Sequence, residues 1–91
     1  MSVAQILQRK LSDAFQPTRL SIVDDSHKHD GHAGAHPDGE SHFSVEIVSP
    51  LFAGKSRVER QRLVYAVLAA ELRHQVHALA LRTLAPGEDR G

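Results

Sequence analysis

Seven histidines and no cysteine stand in the chain, and five of the seven, His27, His29, His32, His36 and His42, fall between positions 27 and 42. Neutral imidazole is a borderline-soft ligand for zinc, iron, copper, cobalt or nickel, and a stable site needs two or three such rings converging at about 2 Å from the ion. The spacing His27-x-His29-x-x-His32 matches no standard zinc motif, and a glycine-rich segment loses chain entropy when it closes on a metal. Solvated histidines on a polar loop are the competing reading for His27, His32 and His36. His29 together with His77 is the better candidate pair, although His77 shares strand parity with Leu79 and Leu81 and could instead be a hydrogen-bonded core residue. His42 is expected to hydrogen-bond at the start of a strand, and His74 to sit on the solvated end of a helix. Without cysteine the chain alone offers no disulfide, no thiol nucleophile and no thiolate for a zinc or iron–sulfur site, which is compatible with a reducing cytosol.

A second cluster is basic. Lys55-Ser56-Arg57-Val58-Glu59-Arg60-Gln61-Arg62 sets Lys55, Arg57, Arg60 and Arg62 against a single acid. Cations at a helix start add to the positive end of the macrodipole, which costs a few tenths of a kcal/mol each and invites an anion such as DNA phosphate. Against this, 11 Lys+Arg balance 11 Asp+Glu, so the chain lacks the overall field of a strong nucleic-acid binder, and a solvated helical turn is the alternative. Gly31-His32-Ala33-Gly34 spells the GxxG of KH domains, but it lies between two strands beside Asp30 and Asp38 instead of between two helices beside basic residues. There is no Ser-His-Asp order and no phosphate loop. Asp24 or Asp25 with His29 could do acid–base work, yet so small a domain implies no substrate pocket, and no enzyme is expected.

The elements that must position these residues follow from periodicity. Val3, Ile6, Leu7, Leu11, Ala14 and Phe15 recur at helical spacing, Ser2 can cap the start, and Pro17 turns Gln16 away from helical geometry, so a helix over 2–15 is expected. Leu20 to Val23 is β-branched enough for a strand and runs into turn formers at Asp24-Asp25-Ser26. Residues 26–40, rich in His and Gly, read as a long exposed loop. Phe43, Val45 and Ile47 alternate with polar residues over 42–49, the clearest strand, and Pro50 ends it. Ser56-Arg57-Val58-Glu59 has the form of a capping box opening a helix whose stripe, Val64, Val67, Leu68 and Leu72, runs to about His74. Period two returns over 76–84, and 86–91 read as a loose tail.

The order helix, strand, strand, helix, strand gives an α+β, two-layer αββαβ fold. The first two strands pair antiparallel, and the second helix is long enough for a right-handed crossover that sets the third strand parallel to the second. Residues 1–85 then form one domain, with about 60% of the unfolded surface buried in a single core. The parallel pairing carries the start of the third strand, at His77, to the sheet end from which the 26–40 loop emerges. No apolar run approaches the ~18 residues of a membrane span and no basic-then-apolar leader opens the chain, so a cytoplasmic protein is expected.

These residues resemble the BolA family. The resemblance rests on Leu20 to Val23 with Asp24-Asp25-Ser26-x-x-His29, on Ser41-His42-Phe43 with Val45 and Val48-Ser49, and on Phe52-x-Gly54-x-Ser56. Arg60-x-Arg62-x-Val64-Tyr65 and Glu71-Leu72 leading into Val76-His77-Ala78-Leu79-Ala80-Leu81 complete it, over about residues 5–85. It implies a three-stranded mixed sheet with helices on one face, a class II KH-like arrangement lacking the nucleic-acid GxxG. It implies a monothiol glutaredoxin partner and a shared [2Fe-2S] cluster, with the histidine before Ala-Leu falling on His77 and the loop ligand on His29, His32 being a substitute. With no Cys here, the thiolates would come from the glutaredoxin and from glutathione. Some bacterial members are DNA-binding regulators of morphology and stress responses, for which Lys55, Arg57, Arg60 and Arg62 would serve. Where the family often has Arg-His-Arg, this chain has Arg60-Gln61-Arg62. A simple histidine-loop metal buffer is a third reading. Alone, the chain is expected to be a monomer or a weak homodimer.

Overall fold

The computed structural model describes residues 2–25 and 41–89. Helix α1 (Val3–Phe15) starts at a reciprocal capping box, with the Gln5 amide donating to Ser2 Oγ at 3.1 Å and the Ser2 amide to Gln5 Oε1 at 2.8 Å. It buries Leu7, Leu11 and Phe15 and stops at Gln16, whose φ of 44° is left-handed, one residue ahead of Pro17. A proline disfavours the right-handed helical region for the residue before it, so the chain leaves the helix here.

Strand β1 (Arg19–Asp24) pairs antiparallel with β2 (His42–Val48), and β2 pairs parallel with β3 (Ala78–Leu84), giving the sheet order β1-β2-β3. The layout is the expected αββαβ. The crossover is not one helix but two, α2 (Arg57–Val67) and α3 (Ala69–Arg73), with Leu68 between them at φ −100° and ψ 17°. Leu68 remains in the core at 1% exposure, and the second piece brings Glu71 to Lys10 Nζ of α1 at 2.9 Å. A hydrophobic stripe reports only which side faces inward. It does not register a break that preserves that side.

Both layers share one core. Leu7, Leu11 and Phe15 meet Phe43, Val45 and Ile47 of β2 and Val64, Leu68 and Val76, with Leu20, Ile22, Leu79 and Leu81 packed at its border. Each fully buried Leu, Ile or Phe contributes about 1.5–3 kcal/mol relative to exposure. The opposite sheet face, with Ser21, Val23, Ser44, Glu46, Ala80 and Arg82, carries no helix among the described residues, and Val23 is 51% exposed there. At the turn after β2, buried Ser49 donates to the Phe15 carbonyl at 2.6 Å and accepts from the Leu51 amide at 3.1 Å, which ties the end of α1 to the 3₁₀ turn Pro50–Phe52.

Two boundaries differ from those expected. Strand β3 begins at Ala78, not at 76: Val76 is a core residue and His77 precedes the strand. Residues 86–89 are not a loose tail. Pro86–Glu88 form a 3₁₀ turn, Glu88 pairs with Arg60 and Asp89 with Arg19. A run of Pro, Gly and acids looks solvated in sequence, but here its two carboxylates are the counterions of arginines on α2 and β1.

Candidate functional site

The parallel register of β2 and β3 sets His42 opposite Ala78. The residue before that pair is His77, and its backbone amide donates to the Ser41 carbonyl at 2.7 Å, with the Ala78 amide on the same oxygen at 3.2 Å. The imidazoles of His42 and His77 therefore face each other at the sheet end, with ring centres 6.3 Å apart and planes at 69°. His77 is exposed, which removes the alternative of a buried core histidine, while His42 is half-buried with Nδ1 2.8 Å from Ser41 Oγ.

The same end anchors the histidine-rich segment. The chain departs after Asp25, whose amide donates to the His42 carbonyl at 2.7 Å and whose carboxylate accepts from Ser44 Oγ, and it returns at Ser41, the acceptor for His77. Both points of attachment thus sit on the backbone of the His42–His77 pair. His29 and His32, with His27, His36 and the Gly31–Gly34 run, lie outside the described residues. His74 is exposed beyond α3. Among the described residues no three His, Cys, Asp or Glu side chains gather as a metal-binding group, so the pair offers two imidazoles and needs further ligands. That His42 belongs beside His77 was accessible from the topology, since a parallel third strand brings His77 to wherever the second strand begins.

The basic run divides. Lys55, Arg57 and Arg62 are exposed, whereas Arg60 is 8% exposed and faces inward. Its Nε donates to the Lys55 carbonyl at 3.0 Å and Nη1 to the Thr83 carbonyl at 3.2 Å, and Nη1 and Nη2 hold the two Glu88 oxygens at 2.6 and 3.2 Å. The guanidinium also lies 6.0 Å from the centre of the Phe52 ring. Arg60 is consequently not one of the exposed cations of the run: its fork is turned onto the Lys55 and Thr83 carbonyls and the Glu88 carboxylate. The Arg60 side-chain bonds, helped by the Ala85 amide, hold the Glu88 carboxyl down at about 2.

The family model described as BolA-like protein matches residues 11–88. The chain belongs to the BolA family. As a BolA-like domain it is 45% identical over 83 residues to the DNA-binding transcriptional regulator BolA of Escherichia coli, covering 91% of this chain and 75% of that one. It is 47% identical over 89 residues to an uncharacterized Sinorhizobium protein, covering 97% and 96%. The BolA domain of SufE1 from Arabidopsis thaliana superposes with a TM-score of 0.86 at 39% identity, over 98% of both chains. BolA-like proteins are regulators and adaptors, and this chain is accordingly not an enzyme. No helix among the described residues is long and apolar enough to cross a membrane.

Proposed function

We propose that this BolA-like chain is a cytoplasmic iron–sulfur trafficking or maturation adaptor that pairs with a monothiol glutaredoxin and shares a [2Fe-2S] cluster with it. The observation that carries the proposal is the exposed His77, facing His42 where the histidine-rich 26–40 segment departs and returns. His77 would be one ligand and His29 the other, with His32 as substitute. The donor set fits such a group on one side only: the chain supplies imidazoles and, having no Cys, leaves the thiolates to the glutaredoxin and glutathione. A [2Fe-2S] cluster held in part by imidazole supplies a redox couple at higher potential than an all-thiolate one.

The chain's own residues do the positioning. The two amides on the Ser41 carbonyl fix the backbone of His77 against β2, and the Ser41 hydroxyl at His42 Nδ1 orients the neighbouring ring. Binding through imidazole requires the neutral ring, so ligation competes with protons. Anaerobic mixing with cluster-loaded glutaredoxin should change the visible absorption and circular dichroism of the cluster, and His77→Ala should abolish the change with far-UV circular dichroism intact. A His29→Ala/His77→Ala variant that behaves like the parent would show the shared-ligand reading to be wrong.

A second reading, a DNA-binding regulator, is favoured by the similarity to the Escherichia coli DNA-binding transcriptional regulator and by the exposed Lys55, Arg57 and Arg62. Lys55→Ala/Arg57→Ala/Arg62→Ala, which spares buried Arg60, should then weaken a gel shift and flatten its log–log salt slope by about 0.9 per lost phosphate contact. Binding indifferent to the three changes would sink it.

A further inference from the structure

At the other end of the sheet a cavity of about 450 Å³ opens between the start of α2 and the end of β3, lined by Arg57, Arg60, Arg82, Thr83, Leu84 and Glu88. Three arginines and one acidic residue, Glu88, line it; the Arg60 guanidinium is on Glu88, while that of Arg82 meets Glu46. Arg60 is fixed from behind by the Lys55 and Thr83 carbonyls, and the front of its fork holds both oxygens of Glu88. Parallel N–H donors on a paired oxyanion are the arrangement by which arginine recognises either carboxylate or phosphate. The two flanking arginines are accessible: Arg57 is exposed with no ion-pair partner among the described residues, and the Arg82 side chain is 70% exposed, meeting Glu46, which Arg19 also engages. Glu88 itself is 48% exposed and is delivered by a three-residue 3₁₀ turn instead of a core element.

We infer that the cavity between Arg57, Arg60 and Arg82 is a binding site for a dianionic phosphate group, with Glu88 as the internal carboxylate that the phosphate displaces. A carboxylate brings one charge and two oxygens to Arg60. A phosphate monoester brings a charge of about −1.5 to −2 at pH 7 and three acceptor oxygens, enough to keep the fork of Arg60 and engage Arg57 and Arg82 together. A phosphodiester carries a single charge and gains nothing over the carboxylate already in place, so a nucleic-acid backbone is the poorer occupant. The inference stands apart from the cluster reading, since seven residues of β3, about 20 Å of strand, separate the arginine end from the histidines.

The test is titration of the full-length protein with inorganic phosphate, methyl phosphate and dimethyl phosphate, followed by NMR at the Arg60 Nε–H and the Thr83 amide. Glu88→Gln keeps an acceptor for the Ala85 amide and removes the competing charge. It should raise affinity for the dianions by at least about tenfold, the scale of one charge-assisted hydrogen bond, with dimethyl phosphate remaining weak. Adding Arg57→Ser/Arg82→Ser should cancel the gain. Binding of inorganic phosphate alone would assign the site to the free anion, and binding of both dianions would assign it to a monoester. Unchanged affinity in Glu88→Gln, or dimethyl phosphate bound as tightly as methyl phosphate, would overturn the inference. Should Glu88→Gln fail to fold, the parent decides: its phosphate-induced shifts must disappear in Arg57→Ser/Arg82→Ser, two exposed positions, and persistence of those shifts refutes the site.

Discussion

Arg60 and Glu88 show how one side chain can change role without changing type. Guanidinium is weakly hydrated for a cation and offers donors on several edges, so it can be withdrawn from water where its N–H groups are all met. Arg60 is met by two carbonyls and a carboxylate. The partner is 28 residues away in sequence, which is why a basic run read locally gives no hint that one of its arginines is internal. Helical phase does carry a hint, because extending the stripe of Val64 and Leu68 back by one turn lands on Arg60. The pairing also makes stability depend on acid. The Glu88 carboxyl lies at about 2 in the folded protein against an ordinary 4.5. A depressed carboxylate contributes stability that is fully present above its unfolded value and is lost as pH falls through its folded one. Thermal unfolding should therefore separate wild type from Glu88→Gln at pH 6, with wild type the more stable, and the gap should close between about pH 4.5 and 2. A gap that stays constant down to pH 2 would mean that the Arg60 pairing does not stabilise the fold through the charge of Glu88.

Among the elements, those with strong local signals were legible and those set by long-range partners were not. Two capping boxes, Ser2 with Gln5 and Ser56 with Glu59, mark both long helices at their first residue, because a cap needs only neighbours in sequence. Alternation of Phe43, Val45 and Ile47 identifies β2 and its inward face, and all three are buried. The pairing directions follow from chain order and crossover handedness alone. The break at Leu68 leaves no trace in the sequence, since the residue is apolar and stays in the stripe. Strand parity places His77 on the side of Leu79 and Leu81, but regular pairing starts one residue later, at Ala78, and the Ser41 carbonyl that accepts from both 77 and 78 takes His77 out of the alternation. Of the candidate site, His77 was legible from topology and from the BolA resemblance together. His42 beside His77 was accessible only through the topology, because the two rings stand 35 positions apart in the sequence. Arg82 carries no motif at all and enters only through the shape of the cavity it lines.

Among the described residues the sheet is covered by helices on one face and has ionisable side chains at its two ends, imidazoles where β2 and β3 begin and guanidiniums where β3 finishes. Between them lie the seven parallel pairs from His42–Ala78 to Val48–Leu84, backed by the core residues Phe43, Val45 and Ile47. A close-packed interior of this kind does not deform continuously. Changes more than about 7–10 Å apart with no shared partner add to within about 0.5 kcal/mol, and the separation here is about twice that by strand length. His77→Ala and Glu88→Gln should accordingly be independent. In a double-mutant cycle, the stability change of each should be the same in the presence of the other within about 0.5 kcal/mol, and the loss of the glutaredoxin-dependent cluster signal in His77→Ala should be as complete with Gln as with Glu at position 88. An interaction energy well above that margin would require a second arrangement of the sheet or its helices that both ends bias. Such independence would let the proposed anion-binding end and the proposed cluster-binding histidine end be occupied at once, neither altering the affinity of the other.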